Sequence, residues 1–242
     1  MPNQFARSQL LFKKEGMEML KKAHIIVFGV GGVGGYVIEA LARSGVYHFT
    51  LVDNDVVSET NINRQIIATL DTIGQYKVDV MKNRILSINK EAVVEVRKCF
   101  YLPETANEFD FKEYDYVVDC VDTVSAKLSI IIEAKKNDVP VISAMGAGNK
   151  MHPEMLEVSD ISKTSTDPLA KVIRTELRKR GINHLKVIYS KEKPAQIDPD
   201  DENIEFKEKS GRHAPSSNAF VPGAMGLIIA SEVIKDLINY KD

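Results

Sequence analysis

The sequence predicts an α/β protein: a Rossmann-like, mainly parallel sheet with helices on both faces, extended by a C-terminal mixed strand and helix region. Three observations carry that expectation. Short apolar runs alternate with helix-period segments from residue 24 to residue 144, the rhythm of strand–helix–strand units. The runs are apolar at successive positions, as strands covered on both faces require. A glycine-rich turn, Gly29-Val30-Gly31-Gly32-Val33-Gly34-Gly35, joins the first run to the helix that follows.

Phe5, Leu10, Leu11, Met17 and Leu20 recur near helical spacing among charges and predict an opening helix. His24-Ile25-Ile26-Val27-Phe28-Gly29 reads as a buried strand ending in glycine. Residues 33–44 read as a helix stopped by Gly45, and 49–53 as a second strand. A helix over 76–89, strands over 92–99 and 116–119, a helix over 125–137 and a strand from 140 to 144 continue the pattern. Beyond Gly148 the rhythm changes. Residues 155–158 and 186–189 look like strands flanking a basic helix over 168–180. Residues 195–215 are polar and read as a mobile loop; an apolar helix over 222–238 closes the chain. No repeat or linker divides the sequence, so residues 1–242 are expected to form one domain.

Bulk properties exclude several classes of function. A 44 % hydrophobic content over 242 residues is enough for a sizeable core. The net charge of −2 supplies no bulk field for nucleic acid, so any such footprint must be local. Cys99 and Cys120 are too few for a disulfide framework or a CxxC metal pair, which suits a reducing cytosol. The opening Met-Pro-Asn-Gln-Phe-Ala-Arg-Ser lacks the layout of a signal peptide. The apolar stretch 220–233 is broken by Pro222, Gly223, Gly226, Ser231 and Glu232, so it is not expected to span a membrane. A cytoplasmic location is the expectation. The five histidines show no metal-ligand spacing; His213, in the polar loop, is a candidate neighbour of the site.

Between a strand and a helix, Gly29, Gly31, Gly32 and Gly34 allow a tight turn and close approach of phosphates to backbone amides. Asp53, at the end of the next strand, can accept hydrogen bonds from ribose hydroxyls. These features alone fit NAD as well as ATP. The polar stretch 53–65 decides between them. It holds Asp55, Asn61 and Arg64, and Lys77 follows; a triphosphate calls for such cations and amide donors, whereas a dinucleotide does not. Asp119 and Asp122 stand at the end of the third apolar strand, where a carboxylate can hold magnesium against phosphates.

The glycine turn, Asp53, Thr60-Asn61-x-x-Arg64-Gln65, Gly74-x-x-Lys77 and Asp119-x-x-Asp122 together resemble the adenylating domain of the ubiquitin-activating, ThiF and MoeB superfamily, from Arg7 to about Ala147. The resemblance implies an ATP-binding portion over 1–150 and a substrate-side portion over 151–242. It implies that Asp53 meets the ribose, that Asn61, Arg64 and Lys77 meet the phosphates, and that Asp122 holds Mg2+. It implies a homodimer in which Arg7 reaches the neighbouring site, and a reaction in which a carboxylate attacks the α-phosphate of ATP. No cysteine follows Cys120, which closes the thioester route of the ubiquitin-like activators, and the two CxxC pairs common in the MoeB branch are absent.

In the second half, Asp160-Ile161-Ser162-Lys163-Thr164-Ser165-Thr166-Asp167-Pro168-Leu169-Ala170 and the later Phe220-Val221-Pro222-Gly223-Ala224-x-Gly226-Leu227 resemble the tRNA threonylcarbamoyladenosine dehydratase branch. That resemblance implies adenylation of the threonyl carboxylate of the modified adenosine in tRNA. Its own carbamoyl group then closes a ring and expels AMP, so no enzyme cysteine is needed. Sulfur-relay proteins are candidate partners. The alternative is a sulfur-carrier-protein adenylyltransferase of the MoeB or ThiF kind. Local charge favours RNA: residues 163–193 hold nine basic residues against three acids, a net +6. Within it, Lys171, Arg174, Arg178, Lys179 and Arg180 are the candidate tRNA contacts, through phosphates rather than bases because no aromatic platform accompanies them.

Overall fold

The computed structural model describes residues 3–196 and 215–241. The expected loop over 195–215, apart from its ends, and His213 lie outside the described residues.

Helix α1 (Ala6–Lys22) leads into β1 (His24–Phe28), α2 (Gly34–Ser44), β2 (His48–Val52), α3 (Lys77–Ile88) and β3 (Val93–Arg97). Then come β4 (Tyr116–Asp119), α4 (Val124–Lys136), β5 (Val141–Ala144), β6 (Leu156–Asp160), α5 (Pro168–Arg178), β7 (Lys186–Ser190) and α6 (Phe220–Leu237). The strands form a seven-stranded sheet in the order β3-β2-β1-β4-β5-β7-β6. All pairings are parallel except β6 with β7. The fold class is therefore the expected one, and the C-terminal strands join the same sheet rather than standing apart.

Chain order runs outward from β1 in one direction, then resumes at β4 on its other side. That reversal opens a crevice beyond the carboxyl ends of β1 and β4, the usual ligand position in such sheets. Burial on both faces explains the unbroken apolar runs. Ile25 and Val27 pack with Val37, Ile38 and Leu41 of α2 and Ile229 and Val233 of α6. Ile26 and Phe28 turn the other way, to Ile130 and Ile131 of α4 and Ile173 and Leu177 of α5.

Strand β3 departs from that rule. It is an edge strand whose Val93, Glu95 and Arg97 face outward, Val93 being 58 % exposed, and Glu95 pairs with Arg97 at 2.7 Å. Charges on an edge discourage pairing with another chain. Helix α1 also differs from the expected unbroken helix: Lys13, at φ 62°, is non-helical. Gly45 ends α2 in the left-handed region, at φ 98°, as the stop signal predicts. Helix α6 packs closely on α2 because Gly226 lacks a side chain; a Cβ there would lie 2.5 Å from the Val33 carbonyl oxygen. Among the described residues, no helix is long and apolar enough to cross a membrane.

Candidate active site

A cavity of 610 Å³ opens beyond the carboxyl ends of β1, β2, β4 and β5. Gly29, Gly31, Gly32, Asp53, Asp55, Arg64, Lys77 and Asp122 line one side; Lys150, Asp167, Pro168 and Leu169 line the other. Motifs scattered over more than a hundred residues thus share one wall-to-wall space.

The glycines of the turn do different things. Gly29, at φ +87°, lies so close to β4 that a Cβ would sit 2.8 Å from the Cys120 carbonyl oxygen. Gly34 does not line the cavity; it packs against the turn, where a Cβ would meet the Gly29 carbonyl oxygen at 1.8 Å. At Gly31 a Cβ would meet only the Gln65 amide nitrogen, at 3.9 Å. The protein's own packing does not demand glycine there, and the open space forms a cradle above the backbone.

Asp53 is held rigidly. One carboxylate oxygen accepts from the Val30 N–H at 2.7 Å and the other from the Asp55 N–H at 2.8 Å. Burial pushes its pKa up, while nearby Lys77 pulls it down. Lys77 is itself buried, with Nζ 2.7 Å from Asp55 Oδ2. The exposed Asp55 carboxylate thereby points the lysine into the cavity.

Arg64 is fixed differently. Its guanidinium donates to the Thr60 carbonyl at 3.0 Å and to Asn63 Oδ1 at 2.9 Å, and no carboxylate pairs with it among the described residues. Burial lowers its pKa. A half-buried cation without a counter-charge makes an anion site.

Two sequence candidates lie elsewhere. Asn61 does not line the cavity; its side-chain oxygen accepts from the Ser58 N–H at 3.2 Å and closes its own turn. Asp119 does not face the cavity either. It is fully buried, bonded to Lys127 Nζ at 2.7 Å and Ser143 Oγ at 2.6 Å, so it cannot act beside Asp122 on a metal. Asp122 remains on the cavity wall, accepting only a long 3.4 Å bond from Thr123 Oγ1. No cluster of three or more His, Cys, Asp or Glu side chains suited to a metal occurs among the described residues. A single carboxylate is the donor set expected where Mg2+ takes most of its ligands from phosphates and water. Burial pushes the Cys120 thiol far above its usual range, the opposite of an activated nucleophile.

Sequence reading missed two of the three buried lysines among the described residues, Lys127 and Lys150. Lys127, fully buried in α4, bonds Asp119, Ser143 Oγ and the Ala144 carbonyl and so clamps β4 to β5 below the cavity. Lys150 pairs with Asp167 at 2.6 Å and also donates to the Gly146 carbonyl. Asp167 in turn caps α5, accepting from the Ala170 N–H at 2.8 Å. An Asp before Pro is a legible cap signal; nothing local marks either lysine as buried.

The basic helix is less free than its charge suggests. Lys179 and Arg180 both pair with Glu176, and Arg174 donates to the Thr164 carbonyl at 2.9 Å. Lys171 and Arg178 are exposed and have no carboxylate partner among the described residues. Arg7 is exposed on α1 and does not line the cavity of its own chain.

The ThiF family model matches residues 5–242. Over 244 aligned residues the chain is 49 % identical to the tRNA threonylcarbamoyladenosine dehydratase of Bacillus subtilis, covering 99 % of this chain and 96 % of that one. The crystal structure of the E. coli tRNA N6-threonylcarbamoyladenosine dehydratase in complex with ATP superposes with a TM-score of 0.87 at 30 % identity, covering 98 % of this chain and 94 % of that one. More distant is the Vanderwaltozyma polyspora adenylyltransferase and sulfurtransferase UBA4, 33 % identical over 56 % of this chain and 31 % of its own. The matched span, the sheet order and the glycine turn at its switch point lead to one conclusion: the chain belongs to the ThiF family.

Proposed function

We propose that this protein is an ATP-dependent tRNA threonylcarbamoyladenosine dehydratase, which adenylates the threonyl carboxylate of the modified nucleoside and lets its carbamoyl group close the ring. The observation that carries the reading is the 610 Å³ cavity, in which the glycine turn, Asp53, Arg64 and Lys77 meet Asp122. The names of the full-length relatives support the same reading. The residues fit ATP: the space over Gly31 can take a phosphate, and Arg64 has no counter-charge among the described residues.

In this reading Asp53 holds the ribose, and the Gly29, Gly31 and Gly32 backbone with Arg64 and Lys77 holds the phosphates. Asp122 holds Mg2+. ATP supplies an electrophilic α-phosphorus for the carboxylate, from which pyrophosphate leaves, and then, as AMP, the leaving group for ring closure. Arg64 and Lys77 offset negative charge that grows on the phosphates as the carboxylate attacks. Asp55 keeps Lys77 aimed while this happens. Asp167 and the start of α5 form the substrate side, tied to the ATP-binding portion through Lys150, with residues 1–150 and 151–242 acting as two portions of one unit. The exposed Lys171 and Arg178 contact tRNA phosphates. A homodimer, with Arg7 of each chain serving the other's cavity, and a cytoplasmic location complete the proposal; sulfur-relay proteins are candidate partners.

The test is ATP–pyrophosphate exchange by the purified protein. Stimulation by tRNA carrying threonylcarbamoyladenosine, but not by unmodified tRNA, is expected. Stimulation by a ubiquitin-like protein with a Gly-Gly terminus instead would replace this reading with the sulfur-carrier one. Mass spectrometry of tRNA nucleosides from cells lacking the protein should show loss of the cyclised product.

A further inference from the structure

Gln65 is used by nothing described so far. Its side chain is buried, at 6 % exposure, and lines the cavity. The carbonyl oxygen is sealed from solvent and has no hydrogen-bond partner among the described residues. A sealed carbonyl oxygen without a partner is costly, because it has left water without replacement. Turning the amide over does not cure this, since one polar end is then orphaned in place of the other. The backbone of Gln65 is held in the turn that carries Arg64: its N–H donates to the Asn61 carbonyl at 2.9 Å, and its carbonyl accepts from the Ala68 N–H at 2.9 Å.

What the amide faces is the cradle over Gly31. Outside Gly31 and its chain neighbours, its nitrogen is the one atom of the described residues within 4 Å of the position a Cβ would take there, at 3.9 Å. The neighbouring residue, Arg64, carries on the same cavity wall a cation with no carboxylate partner among the described residues. Ionised phosphate oxygens accept hydrogen bonds and cannot donate, so the nitrogen end of the amide is the end that suits them. We propose that Gln65 is a phosphate ligand of the bound nucleotide, donating from Nε2 to a phosphate oxygen seated over Gly31; this rests on the ATP reading above. A neutral donor beside Arg64 and Lys77 fixes the direction of a phosphate oxygen without adding a third cation, which a bare charge does not do.

Calorimetric titration with ATP and Mg2+ tests it, on wild type, Gln65→Leu, Gln65→Met and Gln65→Glu, beside the ligand-free unfolding midpoint of each. Losing a hydrogen bond to a charged group should weaken ATP binding about 10-fold or more in the Leu and Met variants. Gln65→Glu, which places an acceptor-only carboxylate against phosphate, should bind more weakly still. Ligand-free midpoints of the Leu and Met variants should not fall, because no bond within the protein is removed. Binding of both apolar variants within about 2-fold of wild type would overturn the assignment, since a bond to phosphate is worth more than that. So would Gln65→Glu binding as well as wild type, or midpoints that fall in step with affinity. Absence of ATP binding by wild type would instead overturn the nucleotide reading itself.

Discussion

Lys77 and Arg64 bring positive charge to the cavity by different means, and the difference has consequences. Lys77 is a buried point charge that depends on Asp55 for its direction, whereas Arg64 is locked by carbonyl oxygens of its own turn. In the proposed adenylation each offsets charge that develops on the phosphates. Removing either, as Lys77→Ala or Arg64→Ala, should lower the pyrophosphate exchange rate by about 100-fold or more. Asp55→Asn should cost less than Lys77→Ala, because the lysine keeps its charge and loses only its guide. Near-normal exchange in Lys77→Ala and Arg64→Ala would place the phosphates elsewhere. The structure also separates residues that look alike in sequence. Asp119 and Asp122 are three positions apart, yet one is sealed against Lys127 and the other lies on the cavity wall.

Among the elements, α5 links the cavity to the basic surface. Its first residues line the cavity, its cap Asp167 is tied to Lys150, and its far end carries Arg178, Lys179 and Arg180. Glu176 draws Lys179 and Arg180 into local pairs, which leaves Lys171 and Arg178 as the cations free to meet phosphate. Charge reversal should therefore be unequal. Lys171→Glu and Arg178→Glu should weaken tRNA binding and flatten its salt dependence, each by about one phosphate contact in a plot of log affinity against log salt. Lys179→Glu and Arg180→Glu should do less, and ATP affinity should be unchanged in all four. Equal slopes for wild type and the Lys171 and Arg178 variants, measured by titration at several salt concentrations, would return α5 to an ordinary solvated face.

At the scale of the whole molecule, Arg7 lies outside its own chain's cavity. On the proposal, each site of a two-fold dimer takes Asp122 from one chain and Arg7 from the other. Arg7→Ala and Asp122→Ala homodimers should then both be inactive. After subunit exchange, half the dimers are mixed when equal amounts combine at random, and each mixed dimer holds one intact site. Roughly a quarter of all sites should therefore recover activity. If Arg7 serves its own chain, a mixed dimer has no intact site, and activity stays at the level of the separate variants. Exchange itself is checked by tagging one variant and recovering the other with it.

Local chemistry made much of this protein legible from its sequence. Apolar runs of strand length, the Gly45 stop and the Asp167-Pro168 start follow from backbone sterics and from burial on two faces, which act over a few residues. The glycine turn and Asp53 were likewise readable, because their spacing is set by one strand–turn–helix unit. The sequence thus determined the α/β class, the parallel core of the sheet and the side of it on which a nucleotide would lie. Tertiary structure alone decided the rest. It sent Asp119 to Lys127 and turned Asn61 onto its own backbone. It folded Arg174 back onto Thr164, paired Lys150 with Asp167 and left the Gln65 side-chain carbonyl without a partner among the described residues. Each of these depends on which distant group a side chain meets once buried, and a charge or amide of the same type is identical in sequence whether it meets solvent, a counter-charge or an open cavity.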